Sequence, residues 1–182
     1  MKMTDSIIQI DDTKDNPLRK KCREITKEEF GSVYLRDVIT AMTKALKRES
    51  DGVAIAAPQI AIPLRVFVVS ENSYEESAKS KPLVFINPKI IKRSKKTAIM
   101  QEGCLSVRWI YGKTSRSLLA TVEAYDIDGN KFTYGGTGLI AHIFQHEIDH
   151  LDGILFVDHG FDFEEYTEEE VKKAEQESKE KK

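Results

Sequence analysis

The run LIAHIFQHEIDHLDG, from Leu139 to Gly153, constrains the fold more than any other stretch of this sequence. Read at helical spacing, it is apolar around most of its circumference, and Gly153 stands where a left-handed residue would end a helix. A helix that is apolar on nearly every side has to lie in the centre of its domain. The exceptions to its apolar character are His142, His146, Glu147, Asp149 and His150.

His146, Glu147 and His150 fall in HEIDH, an instance of the H-E-x-x-H pattern. Imidazoles four residues apart project from one helix face toward a common point, which suits a single metal ion. Glu147 lies about 100° round the helix from His146, near enough to reach a water at that metal without being a ligand. The competing reading is a pair of surface histidines on an ordinary helix. The apolar residues on either side weigh against it, because imidazoles buried without partners are costly.

A catalytic metal of this kind needs a third protein ligand and an open position. Cys104 in QEGCLSV is the candidate, since the preceding glycine permits close backbone approach and a cation would stabilise the thiolate. His142, Asp149 and His159 compete for the role. His142 is one turn before His146, and three ligands in line along a straight helix do not readily surround an ion, so it reads as a pocket-lining side chain. Asp149 reads as a hydrogen-bond partner of a ligand imidazole or of the backbone. Two imidazoles and a thiolate suit zinc, ferrous iron, cobalt or nickel alike.

The rest of the chain is expected to build one domain over residues 1–182, the length of an ordinary single core. Val33–Leu46 carries Leu35, Val38, Ile39, Met42 and Leu46 at helical spacing. VFVV and PLVFINPKII read as buried strands, and ENSYEESAKSK between them as a polar excursion. TVEAYDIDGNKFTY reads as a hairpin turning at Asp128-Gly129 in a type I′ turn. Residues 1–31 read as an arm on the surface, and the charged tail from about residue 162 as a solvated helix or disorder. A net charge of −2 gives no nucleic-acid or membrane signal. Residues 1–16 lack the apolar core of a secretory signal, and no run approaches the roughly 20 apolar residues needed to span a bilayer. A cytoplasmic protein is therefore expected, in which the distant Cys22 and Cys104 stay reduced. The oligomeric state is left open.

Three segments, GVAIAAPQ (Gly52 to Gln59), EGCLS (Glu102 to Ser106) and QHEIDHLDG (Gln145 to Gly153), resemble the three motifs of the peptide deformylase family, in order and suitably spaced. The likeness extends from NPLRKKC through INPKI and DIDG to ILFVDH. It implies an α+β fold with antiparallel or mixed β-sheets around a central helix that carries HEIDH. It also implies removal of the formyl group from the N-terminal methionine of nascent polypeptides, close to the ribosome exit. By that resemblance Cys104, His146 and His150 would ligate the metal, ferrous by nature and replaceable by zinc, nickel or cobalt. Glu147 would take a proton from the metal-bound water and return one to the leaving amine. The Gln59 amide and the Leu105 N–H would stabilise the oxyanion. Val53, Ala54 and Gly103 would hold the peptide as an added strand, and Met100, Leu139 and His142 would line the methionine pocket. Glu102 and Arg116 would be the charged pair that steadies the cysteine loop.

Gln59 taken by itself reads rather as an amide capping its own turn. Three departures from the family pattern stand out: Ala54 in place of a glycine, Arg108-Trp109 in place of a proline after Val107, and His142 in place of an apolar residue. They leave two rivals in view. One is a metallopeptidase or amidase using the same helix, against which Gln59 and Cys104 speak, because the common zinc peptidases use histidine and carboxylate. The other is a homologue that binds peptide without catalysis.

Overall fold

The computed structural model describes residues 6–12, 15–73 and 83–180. Its strands are β1 (Ala54–Ala56), β2 (Val66–Val69), β3 (Leu83–Arg93), β4 (Thr97–Cys104), β5 (Val107–Ser117), β6 (Leu119–Tyr125), β7 (Lys131–Thr137) and β8 (Phe161–Glu165). Its helices are α1 (Val33–Arg48), α2 (Gly138–Leu151) and α3 (Glu168–Glu180). The strands form a five-stranded sheet in the order β1-β2-β3-β6-β7 and a three-stranded sheet in the order β4-β5-β8. All of these pairings are antiparallel. Helix α2 packs against strands of both sheets, the α+β arrangement that the sequence implies.

VFVV is a continuous apolar run because both faces of its sheet are covered. Phe67 and Val69 join Phe85, Val122 and Phe144 on the α2 side, while Val66 and Val68 join Leu35, Val38, Met42 and Leu46 on the α1 side. Side chains of one strand alternate between faces, so four consecutive buried residues serve two cores. Ser32 opens α1 by accepting the Leu35 N–H at 3.2 Å, and Ile39 sits at the margin of the buried stripe. Phe144 fixes α2 against the large sheet, its ring 5.2 Å from that of Phe85 and 6.2 Å from that of Phe67.

The end of α2 is locked to the N-terminal segment. Gly153 has φ +78, and a Cβ there would lie 2.9 Å from the carbonyl carbon and oxygen of Arg19. Both the left-handed backbone and the close approach require glycine. Gly153→Ala should cost about 1–3 kcal/mol, read as a lower urea midpoint at unchanged m-value; an unchanged midpoint would contradict this account of the helix end.

Several expectations are corrected. The N-terminal arm does not lie on the surface: Leu18, Cys22 and Ile25 are buried. Its backbone is paired across the fold, Ile8 N–H to Gln59 O at 2.8 Å and Cys22 N–H to Leu151 O at 2.9 Å. Irregular backbone of this kind has no period to betray its burial. The β6–β7 turn is not type I′, since only Gly129 of the central pair has positive φ. The Asp126 carboxylate accepts the N–H groups of Asp128 and Asn130 and holds a longer loop instead. The charged tail begins as β8 paired to β5, and only then turns into α3. Strands β4 and β5 were not expected at all. Most of the polar excursion after Val69, residues 74–81, lies outside the described residues.

Candidate metal centre and cleft

Helix α2 delivers His142, His146 and Glu147 to one end of a cavity of about 270 Å³ whose opposite wall is the β4–β5 hairpin, and His150 follows one turn after His146. That hairpin turns tightly at Leu105-Ser106, with Cys104 paired to Val107. Gly103 pairs with Tyr111, so one step along β4 corresponds to four along β5. Arg108, Trp109 and Ile110 are therefore left over and bulge at the cavity rim. Gly103 is obligatory here, because a Cβ would meet the Tyr111 ring at 2.7 Å.

The ligand atoms of Cys104, His146 and His150 all lie within 4.8 Å of one another. Cys104 Sγ is 3.1 Å from His150 Nε2. His142, Asp149 and His159 stand outside this group. Burial opposes a charge on His146, but its hydrogen bonds to Cys104 and Glu102 outweigh that and hold its pKa well above the ordinary value. Burial, reinforced by His146, pushes His150 well below. The donor set, a thiolate with two imidazoles, is chemically suited to a divalent transition metal.

Glu147 is 3% exposed, and its Oε2 has no hydrogen-bond partner. Burial pushes its carboxyl up to about 7. A buried carboxyl that ends in a cavity without a partner is equipped to exchange a proton with whatever enters. The two ends of the Gln59 amide have different partners. Its Oε1 accepts the Ala56 N–H at 2.8 Å, which caps its own turn, and its Nε2 points at Ser106 Oγ and Cys104 Sγ, at 3.1 and 3.7 Å. Leu105, Val53, Ala54, Gly103 and Leu139 line the cavity; Met100 does not. The Val53 carbonyl already accepts from Ser70 N–H and Ser73 Oγ.

Glu102 ties the two walls together. Its Oε1 accepts from His146 Nδ1 at 2.5 Å and Arg116 Nη2 at 2.7 Å. Its Oε2 accepts from Thr114 Oγ1 at 2.5 Å, His142 Nε2 at 2.7 Å and Arg116 Nε at 3.1 Å. Burial would raise this carboxyl, but the hydrogen bonds from His142, His146 and Arg116 outweigh it and hold it well below the usual carboxylate range. Asp149, expected beside a ligand imidazole, instead accepts from Arg116 Nη1 at 2.5 Å. The imidazole of His146 is held by Glu102, which reaches it from the hairpin.

Thr114 and the acidic partners of Arg108 escaped sequence reasoning, although Arg108 and Trp109 themselves read from sequence as a charge and an aromatic at the cleft rim. Thr114 is fully buried against Glu102; it lies two residues before Arg116, on the same strand face, which is a period-two signal that could have found it. Arg108 crosses the cavity mouth to Glu49 and Asp51, at 2.5 and 2.6 Å, with its guanidinium 4.6 Å above the Trp109 ring. Trp109 thus belongs to the rim. The other cysteine, Cys22, is buried in the core, and burial pushes its thiol up to about 11.

Comparison with known proteins decides the family. A model described as polypeptide deformylase matches residues 6–165. The chain belongs to that family. Among deformylase relatives, the peptide deformylase of Desulforudis audaxviator is 37% identical over 153 residues, covering 84% of this chain and 93% of the relative. Peptide deformylase 2 of Clostridium acetobutylicum is 40% identical over 150 residues, covering 82% and 93%. Among solved structures, the Met-Ala-Ser-bound class I type b peptide deformylase of Acinetobacter baumannii superposes with a TM-score of 0.74 at 30% identity, covering 85% of this chain and 97% of that one. Among the described residues no helix is long and apolar enough to cross a bilayer.

Proposed function

We propose that this chain hydrolyses the N-formyl group from the N-terminal methionine of nascent polypeptides, with a divalent metal held by Cys104, His146 and His150. The observation that carries the reading is the approach of those three ligand atoms within 4.8 Å, beside a buried, unpartnered Glu147. Ferrous iron is the ion proposed, with zinc, nickel or cobalt able to replace it. When bound, such a cation supplies Lewis acidity, which acidifies water and polarises the formyl carbonyl.

The chain's own residues do the rest. Glu147 takes the proton of the attacking water, the formyl C–N bond breaks, and the same carboxyl gives the proton to the departing amine, releasing formate. Gln59 Nε2 and the Leu105 N–H stabilise the negative charge that develops on the formyl oxygen. Val53, Ala54 and Gly103 hold the peptide backbone along the free edge of β1, and Leu139 and His142 receive the first side chain, Met100 standing outside the cavity. The substrate is proposed to be met at the ribosome exit, in the cytoplasm, by a single domain.

The test is formate release from formyl-Met-Ala-Ser. Protein prepared without oxygen should turn over faster than protein prepared in air, because ferrous iron is oxidised. Equal turnover with iron demonstrably bound argues against iron. Cleavage of an internal peptide bond points to a peptidase, and no formate at all to a peptide-binding homologue. His142 favours one refinement, since its ring lines the cavity where an apolar residue would otherwise stand. Formyl-Leu and formyl-Ala peptides should then gain on formyl-Met in kcat/KM, and a strong ordinary methionine preference would remove this refinement.

A further inference from the structure

We infer that His142 is a positioning residue for the metal: it shares the Glu102 carboxylate with His146 and thereby fixes the orientation of the ligand imidazole. The inference rests on the assignment of Cys104, His146 and His150 as ligands, and concerns a residue outside that set.

The hydrogen-bond roles follow from the partners of Glu102. It accepts from the Arg116 guanidinium at both oxygens, Oε1 at 2.7 Å and Oε2 at 3.1 Å, and a carboxylate paired in this way can only accept from its other neighbours. His146 must therefore present Nδ1–H to it, which turns Nε2 away from the carboxylate and leaves that atom for a metal. His142 must likewise present Nε2–H. Both imidazoles thus have a fixed tautomer, set by one anion.

Geometry then separates their contributions. Thr114 and Arg116 hold Glu102 from β5, on its own side of the cleft. Only His142 and His146 reach it from α2 in the hydrogen bonds described. They stand one helical turn apart and meet different oxygens, Oε2 and Oε1. With both bonds, the carboxylate is registered to α2 at two points, and the His146 ring cannot swing without straining the second. With one, a single hydrogen bond joins helix and hairpin, and the ring can pivot about it. Partners of this kind around a metal-binding imidazole are typically worth about 10–100-fold in metal affinity.

The design of the variants follows from the same geometry. Leucine at position 142 suits the apolar neighbours Leu139 and Ile143, and Glu102 Oε2 keeps Thr114 and Arg116, so no buried acceptor is orphaned. Glutamine places an N–H donor at nearly the reach of an imidazole Nε2 and restores the second point of registration. The full chain, loaded with zinc, is exposed to excess chelator and the rate of zinc release is followed. His142→Leu should release zinc about tenfold faster than the parent, and His142→Gln within about twofold of it. His142→Leu that releases at the parent rate overturns the inference. So does His142→Gln that releases as fast as His142→Leu, because packing and not the shared carboxylate would then be responsible. A parent that retains no zinc overturns the ligand assignment and the inference together; a tight parent with unaltered variants overturns only the part given to His142.

Discussion

Glu147→Gln will lower formate release by about 10²–10⁴-fold while leaving the metal in place. The substitution keeps the volume of a side chain that is 3% exposed, so the walls of the cavity should not move. It removes the one group at the centre that can pass a proton from water to the amine, since the imidazoles of His146 and His150 are committed to the metal in the proposed assignment. KM should change much less than kcat, because the carboxylate acts on the reacting atoms and does not anchor the peptide. Stability should hold or rise, because an unpartnered buried acid is replaced by a neutral amide. Residual activity above about one tenth of the parent would lie outside the range expected for an acid–base group and would move that role elsewhere.

The second large effect is on the fold. Glu102→Ala deprives Arg116 of two of its hydrogen bonds and leaves the guanidinium facing Asp149 alone. It also leaves the Thr114 hydroxyl and two imidazoles without their acceptor. Breaking a buried ion pair from one side costs about 3–5 kcal/mol, more than the pair itself is worth, because an uncompensated charge remains inside. The urea midpoint should fall accordingly, and metal affinity with it. The double variant Glu102→Met, Arg116→Met should recover most of the loss in stability but none of the metal affinity. A cost below about 1 kcal/mol for Glu102→Ala would mean that water reaches Arg116 and that the hub is not dry.

The HEIDH helix, α1 and the doubly covered VFVV strand were legible, because each displays the period of its element. Strands β4 and β5 were not, because their alternation is inverted by function. On β4 the buried positions include Glu102, and half-buried Cys104 follows two residues on, whereas Ile99 points outward at 64% exposure. On β5 the buried positions after Val107 are Gly112, Thr114 and Arg116. A strand that turns its charged residues inward cannot be recognised by apolar periodicity, and such conflicts between local pattern and fold collect at functional sites. The proposed metal ligands were legible through their motifs, and the structure brings their ligand atoms within 4.8 Å of one another. Their supports were less so: Asp149 reads from sequence as a partner of a ligand imidazole or of the backbone, whereas the carboxylate that holds the His146 ring, Glu102, crosses from the β4–β5 hairpin. The arm before α1 was misjudged because its hydrogen bonds are long-range and its buried residues, Leu18, Cys22 and Ile25, follow no period.

The edge position of β1 in the large sheet has a consequence for self-association. Exposed strand edges invite other sheets to dock, and long ones lead to aggregation. This one is three residues long, and the bridge from Arg108 to Asp51 stands just before it. So short a border offers a passing chain terminus a few backbone hydrogen bonds, yet gives a folded neighbour too little length to grip.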